Sequence, residues 1–227
     1  MAPKDANSLF SRWPVMRALR NRIRRILPGF LRHRKLKMPV LETERLVMRK
    51  FEQDDLKDII AWEKISSTEN EQVEAQKFLE YCFGEYRAGG AGPWGMQLKE
   101  TGAIAGNCGF PHLIFDELCG EVNYYIAPKH RGKELAAEAV KALLQFGFQE
   151  IGLTRIQARC DPDNIASERV MQKVGMKFDG FIEHAPFSKE KTTKQKLYAI
   201  LAKDFILPPH GVHDGATDVT AQSDGRR

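Results

Sequence analysis

The 227-residue chain has no stretch approaching the roughly 18 consecutive apolar residues that a membrane-spanning helix requires. Basic residues near its start are not followed by an apolar run of signal-peptide length, which predicts a cytoplasmic chain. The four cysteines, Cys82, Cys108, Cys119 and Cys160, show no C-x-x-C spacing. That argues against a disulfide framework or a zinc site and predicts small apolar thiols in a reducing compartment. His210 and His213 are three residues apart with no further ligand nearby, so no metal is expected there. The chain also lacks a G-x-x-x-x-G-K-[ST] loop, a Rossmann-type glycine signature opening a helix, and a serine-centred nucleophile elbow. These absences exclude P-loop and dinucleotide chemistry and a covalent acyl-serine of the hydrolase kind.

Charge is present but unevenly placed. The chain carries 35 Lys and Arg against 30 Asp and Glu, formally +5. Residues 1–40 hold eleven of those cations and one acid, Asp5, for +10, which leaves the remainder at −5. The basic character thus belongs to an N-terminal arm, followed by a mildly acidic domain. Within the arm, Pro14 and Pro28-Gly29 bracket a helix whose Met16, Leu19, Ile23, Ile26 and Leu27 share an arc of about 100°. Arg17, Arg20, Arg22, Arg24 and Arg25 fill the rest of its surface. Such a helix, about 20 Å long and self-repelling, is marginal alone in water. Residues 12–37 are therefore expected to meet RNA phosphate, as on a ribosome, or an anionic membrane surface. A solvated arm, or a helix docked on its own domain, is the plainer outcome.

The chain divides into the basic arm at 1–40, a domain over 41–207, and a tail over 208–227. The tail opens on Pro208-Pro209-His210-Gly211, and its polar composition predicts disorder. No internal repeat is present. The domain starts with a strand at Leu46–Arg49, and Asp54-Asp55 then cap a helix reaching Trp62. A second helix spans about 71–86 and stops at the glycine cluster 89–93. Strands follow at Trp94–Leu98, Ile104–Phe110 and Glu121–Ile126, the first two joined by a turn at Thr101-Gly102. Leu135, Ala139, Ala142, Leu143 and Phe146 recur at helical spacing, so a helix is expected over 133–149. A strand at Arg155–Cys160, a helix over 164–174 closed by Gly175, and strands at Phe178–His184 and Lys196–Leu201 complete the pattern. This is an α/β arrangement, a mixed sheet with helices packed on it. Trp94, Phe110 and Phe181 are expected in the core, and His112, His130 and His184 on solvated loops or strand ends.

The block from Glu121 to Val140 runs from strand to short glycine loop to helix start. The first amides of a helix lack internal partners and carry the positive end of its dipole. With Gly132 in the loop and Arg131 and Lys133 beside it, the junction reads as a phosphate cradle. An ordinary strand-to-helix junction with a basic surface accounts for it equally well.

The second half of the pattern separates these readings. Asn164 to Met176 has the form N-x-x-S-x-R-V-x-x-K-x-G-[FM], and Leu41-Glu-Thr-Glu-Arg-Leu-Val-Met-Arg49 has the form L-x-T-E-R-L-x-L-R with Met at the third leucine. With these motifs the chain resembles the GNAT acetyltransferase superfamily, in the branch of the ribosomal-protein N-terminal acetyltransferases. The resemblance covers about residues 41–205. It implies a GNAT fold, with a central, mostly antiparallel mixed sheet flanked by helices. It also implies an acetyl-CoA site and transfer of acetyl to a primary amine, most simply a protein N-terminal amine. The family's pyrophosphate loop, [QR]-x-x-G-x-[GA], aligns with Arg131, Gly132, Lys133, Glu134, Leu135 and Ala136. Ala136 keeps the last position, whereas Glu134 stands where the family has its central glycine. A carboxylate there repels phosphate and favours the empty helix end unless it turns to solvent while Arg131 and Lys133 offset it. Tyr125 and Ile126, at the end of the preceding strand, complete the cofactor set with Asn164 and Ser167. Tyr124 and Tyr125 point to opposite faces, so at most one lines the site.

Amine acetylation needs a proton removed from the ammonium and one supplied to the leaving thiolate. Glu121 is the candidate for the first role, although it could simply end a strand. The resemblance places Ser167 in the second, against the plainer reading of a helix hydroxyl bonded to backbone. Asn164 contacts the pantetheine amides or merely caps its helix. Two other readings stay open: a small-amine acetyltransferase acting on a polyamine or antibiotic, and a degenerate domain that binds membrane or RNA, marked by Glu134. Acceptor loops fall near 63–72 and 184–196. The chain is expected to be a monomer or a homodimer.

Overall fold

A computed structural model describes residues 38–62, 69–184 and 193–206. The expected arm helix, the tail with His210 and His213, and most of both acceptor loops lie outside the described residues, as does the side chain of His184. The described strands are β1 (Leu41–Glu42), β2 (Leu46–Arg49), β3 (Trp94–Leu98), β4 (Ile104–Ile114), β5 (Cys119–Ile126), β6 (Arg155–Cys160), β7 (Lys177–His184) and β8 (Thr193–Leu201). They form one sheet in the order β1-β2-β3-β4-β5-β6-β8-β7. All neighbours are antiparallel except β5 and β6, which run parallel. The helices are α1 (Leu56–Ala61), α2 (Glu69–Arg87), α3 (Leu135–Phe146) and α4 (Ile165–Lys173). The mixed, mostly antiparallel sheet with helices on it is thus the one the sequence implies.

Each face of the sheet buries its own core. Leu135, Ala139, Val140 and Leu143 of α3 pack with Met171 of α4 against Leu46, Met48, Trp94, Met96 and Phe110 of the sheet. On the other face, Ile59 of α1 and Phe78, Leu79 and Cys82 of α2 enclose Phe51, Trp62 and Ile104. Trp62 meets Phe51 and Phe78 edge-on at 6.2 and 6.0 Å and donates its indole N–H to the Ile104 carbonyl at 2.8 Å. Burial of each such apolar side chain contributes about 2–3 kcal/mol. All four cysteines are buried.

Both arginines of the opening motif tie a helix start to the sheet. Arg49 grips Asp55 with both terminal nitrogens at 2.8 Å, and the same carboxylate accepts from the Glu52 N–H at 2.8 Å. Asp55 is 5% exposed, so this bidentate pair satisfies a buried charge at the entrance to α1. Arg45 does the corresponding service for α3, as described below.

Several boundaries differ from expectation for physical reasons. α3 begins at Leu135 instead of Lys133, because Gly132 (φ 75°) and Glu134 (φ 63°) are left-handed and cannot be helical. Its α-helical part ends at Phe146 and continues as a π turn, Gly147–Ile151, stopped by left-handed Gly152. Asn164 caps α4 from outside the helix. Phe181 is half exposed rather than core: β7 is the sheet edge, and Phe181 lies edge-on against Phe178 with ring centroids 5.3 Å apart.

Candidate active site

The parallel ladder between β5 and β6 covers three residue pairs, Cys119–Arg155, Gly120–Ile156 and Glu121–Gln157. Beyond Glu121 the two strands no longer pair with each other. β5 remains paired with β4 as far as Ile126, and β6 with β8 as far as Cys160, so each arm of the fork is held from its outer side. Glu121 therefore occupies the apex. Its carboxylate accepts from Arg159 Nε at 2.9 Å and Nη2 at 2.5 Å, and from Gln157 Nε2 at 3.4 Å. Strand alternation explains the cluster, since Gln157 and Arg159 share the half-buried face of β6 while Ile156, Ala158 and Cys160 are buried on the other.

On the α4 face the fork is bridged. Tyr124 donates its phenol to the Ser167 carbonyl at 3.0 Å. Burial pushes the Tyr124 phenol up; the Ser167 hydrogen bond only partly offsets this, so it stays protonated. Asn164 Oδ1 accepts from the Ser167 N–H at 3.1 Å, the capping role of the plainer reading. The Ser167 hydroxyl itself takes no hydrogen bond from, and gives none to, the described residues, so it is not engaged by backbone. Tyr125 faces the opposite side and packs its ring 5.6 Å from Trp62. The two tyrosines thus diverge as strand geometry requires.

The turn after β5 leads into the cradle. Arg131 folds back, donating Nε to the Ile126 carbonyl at 3.1 Å with its guanidinium 5.9 Å from the Tyr125 ring. Gly132 takes φ 75°, and no atom lies within 4 Å of where a Cβ would stand. The Leu135 and Ala136 side chains are buried, so they present backbone only. The first intrahelical bond runs from Glu138 N–H to the Glu134 carbonyl at 3.2 Å. Ahead of it the amides of α3 stay open, because the Glu134 side chain does not cap them. It pairs instead with Lys173 of α4, and hydrogen bonding to Lys173 holds its carboxyl below the usual range. Open amides, a vacant glycine corner and the cations Arg131 and Lys133 suit a phosphorylated ligand. His130, expected in solvent, is 9% exposed with both ring nitrogens unpartnered. Burial first, then Lys129 and Lys133, push its pKa down against Asp58, so it stays neutral near pH 7.

The fork thus holds Glu121 at its apex with Gln157 and Arg159, and Tyr124 with Ser167 on its α4 face, with the cradle at the far end of β5; by strand alternation Glu121 shares the face of Tyr125, opposite Tyr124. Four contributors escaped the sequence reading: Arg159, Tyr124 as a bridge, Lys173, and the Thr43–Arg45 segment that grips Glu138. Thr43, Arg45 and Lys173 all lie inside motifs visible in the sequence, but their partners are 39 to 95 residues distant.

The profile of the family described as "Acetyltransferase (GNAT) domain" matches residues 45–177, more than half of the chain. The Bacillus subtilis protein named "Uncharacterized N-acetyltransferase YnaD" is 29% identical over 172 residues, 73% of this chain and 98% of its own. Among solved structures, a putative ribosomal-protein-serine acetyltransferase from Vibrio cholerae superposes with TM-score 0.65 at 19% identity, over 73% of this chain and 99% of that one. A spermidine N-acetyltransferase chimera from Vibrio cholerae and hSSAT gives TM-score 0.59 at 18% identity, over 71% and 98%. At such identities the structures attest the fold alone; the family profile carries the assignment. The chain belongs to the GNAT acetyltransferase family and is an acetyl-CoA-dependent acetyltransferase.

Proposed function

We propose that this enzyme acetylates the α-amine of a protein or peptide by direct attack within a ternary complex. Acetyl-CoA supplies the activated acetyl thioester; Gly132, Lys133 and the open amides from Glu134 onward hold its phosphates, with Arg131 beside them. Asn164 shapes the start of α4, and the Ser167 hydroxyl donates a hydrogen bond to the departing sulfur. Glu121, at the apex, receives the ammonium proton directly or through one water.

The observation that carries the choice of acceptor is the Arg159–Glu121 pair. One carboxylate oxygen is already engaged by the guanidinium, which leaves the other to meet the acceptor and suits an amine that arrives largely neutral. An α-ammonium, with a pKa of about 8, is substantially neutral near pH 7.5, whereas an alkylammonium near 10.4 is not. The −5 charge of residues 41–227 suits a cationic acceptor of either kind, polypeptide or polyamine, and does not bear on this choice.

The test sets peptides with free and blocked α-amines, the latter carrying an internal lysine, against spermidine. Transfer to the free α-amine alone is expected, with kcat/KM rising to about pH 8 and then levelling. Preference for spermidine, or a rate still climbing past pH 9.5, contradicts the proposal.

A further inference from the structure

Glu138, in the first turn of α3, receives three hydrogen bonds and one further ion-pair contact from the β1–β2 turn. Thr43 Oγ1 lies 2.5 Å from Oε1, the Arg45 N–H 2.8 Å from Oε1, Arg45 Nε 2.7 Å from Oε2, and Arg45 Nη2 2.6 Å from Oε2. The remaining Arg45 nitrogen, Nη1, reaches past the helix to the Lys133 carbonyl at 2.9 Å. One guanidinium therefore joins the first helical turn to the loop that precedes it.

The consequence follows from peptide geometry. In a planar trans peptide the carbonyl of one residue and the N–H of the next point in opposite directions. With the Lys133 carbonyl drawn toward the β1–β2 turn, the Glu134 N–H is turned away from it, and no described residue accepts from that N–H. Glu134 meanwhile holds φ 63°, a conformation that a residue with a Cβ leaves readily if nothing holds it. We propose that Arg45 is a positioning residue for acetyl-CoA: its grip on Lys133 and Glu138 keeps the Glu134 peptide in its left-handed, donor-presenting orientation before ligand arrives. Thr43 and Glu138 hold Arg45 in place. With a Cβ at the centre of the loop, the clamp matters more than it would beside a glycine. This rests on the reading of residues 131–136 as the phosphate cradle.

The experiment measures CoA dissociation constants by calorimetry and steady-state kinetics on the full chain for Arg45→Met, Arg45→Lys, Gly132→Ala and Glu134→Gly, and for Arg45→Met combined with Glu134→Gly. Arg45→Met is expected to weaken CoA at least tenfold and raise KM for acetyl-CoA equally, with acceptor KM and kcat within about twofold. Arg45→Lys keeps the charge beside Glu138 but not the fork that also spans Lys133, so it should retain the wild-type Tm and most of the loss. In the Glu134→Gly background, where positive φ carries no Cβ penalty, the loss from Arg45→Met should shrink to threefold or less. An equal loss in both backgrounds, or a fall in kcat alone, overturns the clamp. If Gly132→Ala weakens CoA and neither Arg45 variant does, the clamp falls and the cradle stands. If none of these variants alters CoA binding, the cradle reading falls and takes the clamp with it.

Discussion

Ser167 and Glu121 occupy opposite chemical situations within the same fork. The Ser167 backbone is engaged on both sides, N–H to Asn164 and carbonyl to Tyr124, while its hydroxyl is uncommitted. Removing that hydroxyl should leave stability untouched and reduce the reaction. Ser167→Ala is expected to lower kcat roughly ten- to hundredfold with Tm unchanged, and Glu121→Gln to lower kcat/KM by roughly a hundredfold. Steady-state rates with a free-amine peptide check both, and wild-type kcat in Ser167→Ala would remove serine from the mechanism. Ser167 and Asn164 were legible in the sequence because motif spacing names them. Arg159 was not, because its relation to Glu121 depends on two strands 38 residues apart lying side by side.

At the scale of elements, helix α3 and strand β4 carry the constraints that make the site. Hydrophobic periodicity located α3 but could not place its first residue, since periodicity is blind to φ. Gly132 signalled a left-handed position; Glu134 concealed a second one behind a side chain. β4 bends where its pairing with β3 shifts between Gly95 and Gln97, and Gly106 lies at that point. A Cβ on Gly106 would stand 2.0 Å from the Tyr125 carbonyl oxygen, a backbone atom of the paired strand that cannot yield without opening the ladder. Gly106→Ala should therefore cost about 3 kcal/mol or more, the upper range for overpacking, read as a lowered urea midpoint or loss of soluble protein. A wild-type midpoint would show that β5 moves aside, and with it the fork.

For the molecule as a whole, the order of elements and the alternation of core-facing residues were readable from local pattern, because each element buries one stripe or one face. The strand order and the fork were not, because the β5–β6 pairing depends on a crossover through α3. All of the polar tail and all but residues 38–40 of the basic arm lie outside the described residues, and the chemistry argued above belongs to the domain between them. Among the described residues, no helix is long and apolar enough to cross a membrane. The account's central claim is that the cradle accepts acetyl-CoA with Glu134 in place, the carboxylate being drawn off to Lys173. Calorimetric titration of acetyl-CoA into the full-length chain tests this most directly. Saturable one-to-one binding in the micromolar range, weakened by Gly132→Ala, is the predicted result; absence of binding by a folded chain would contradict it.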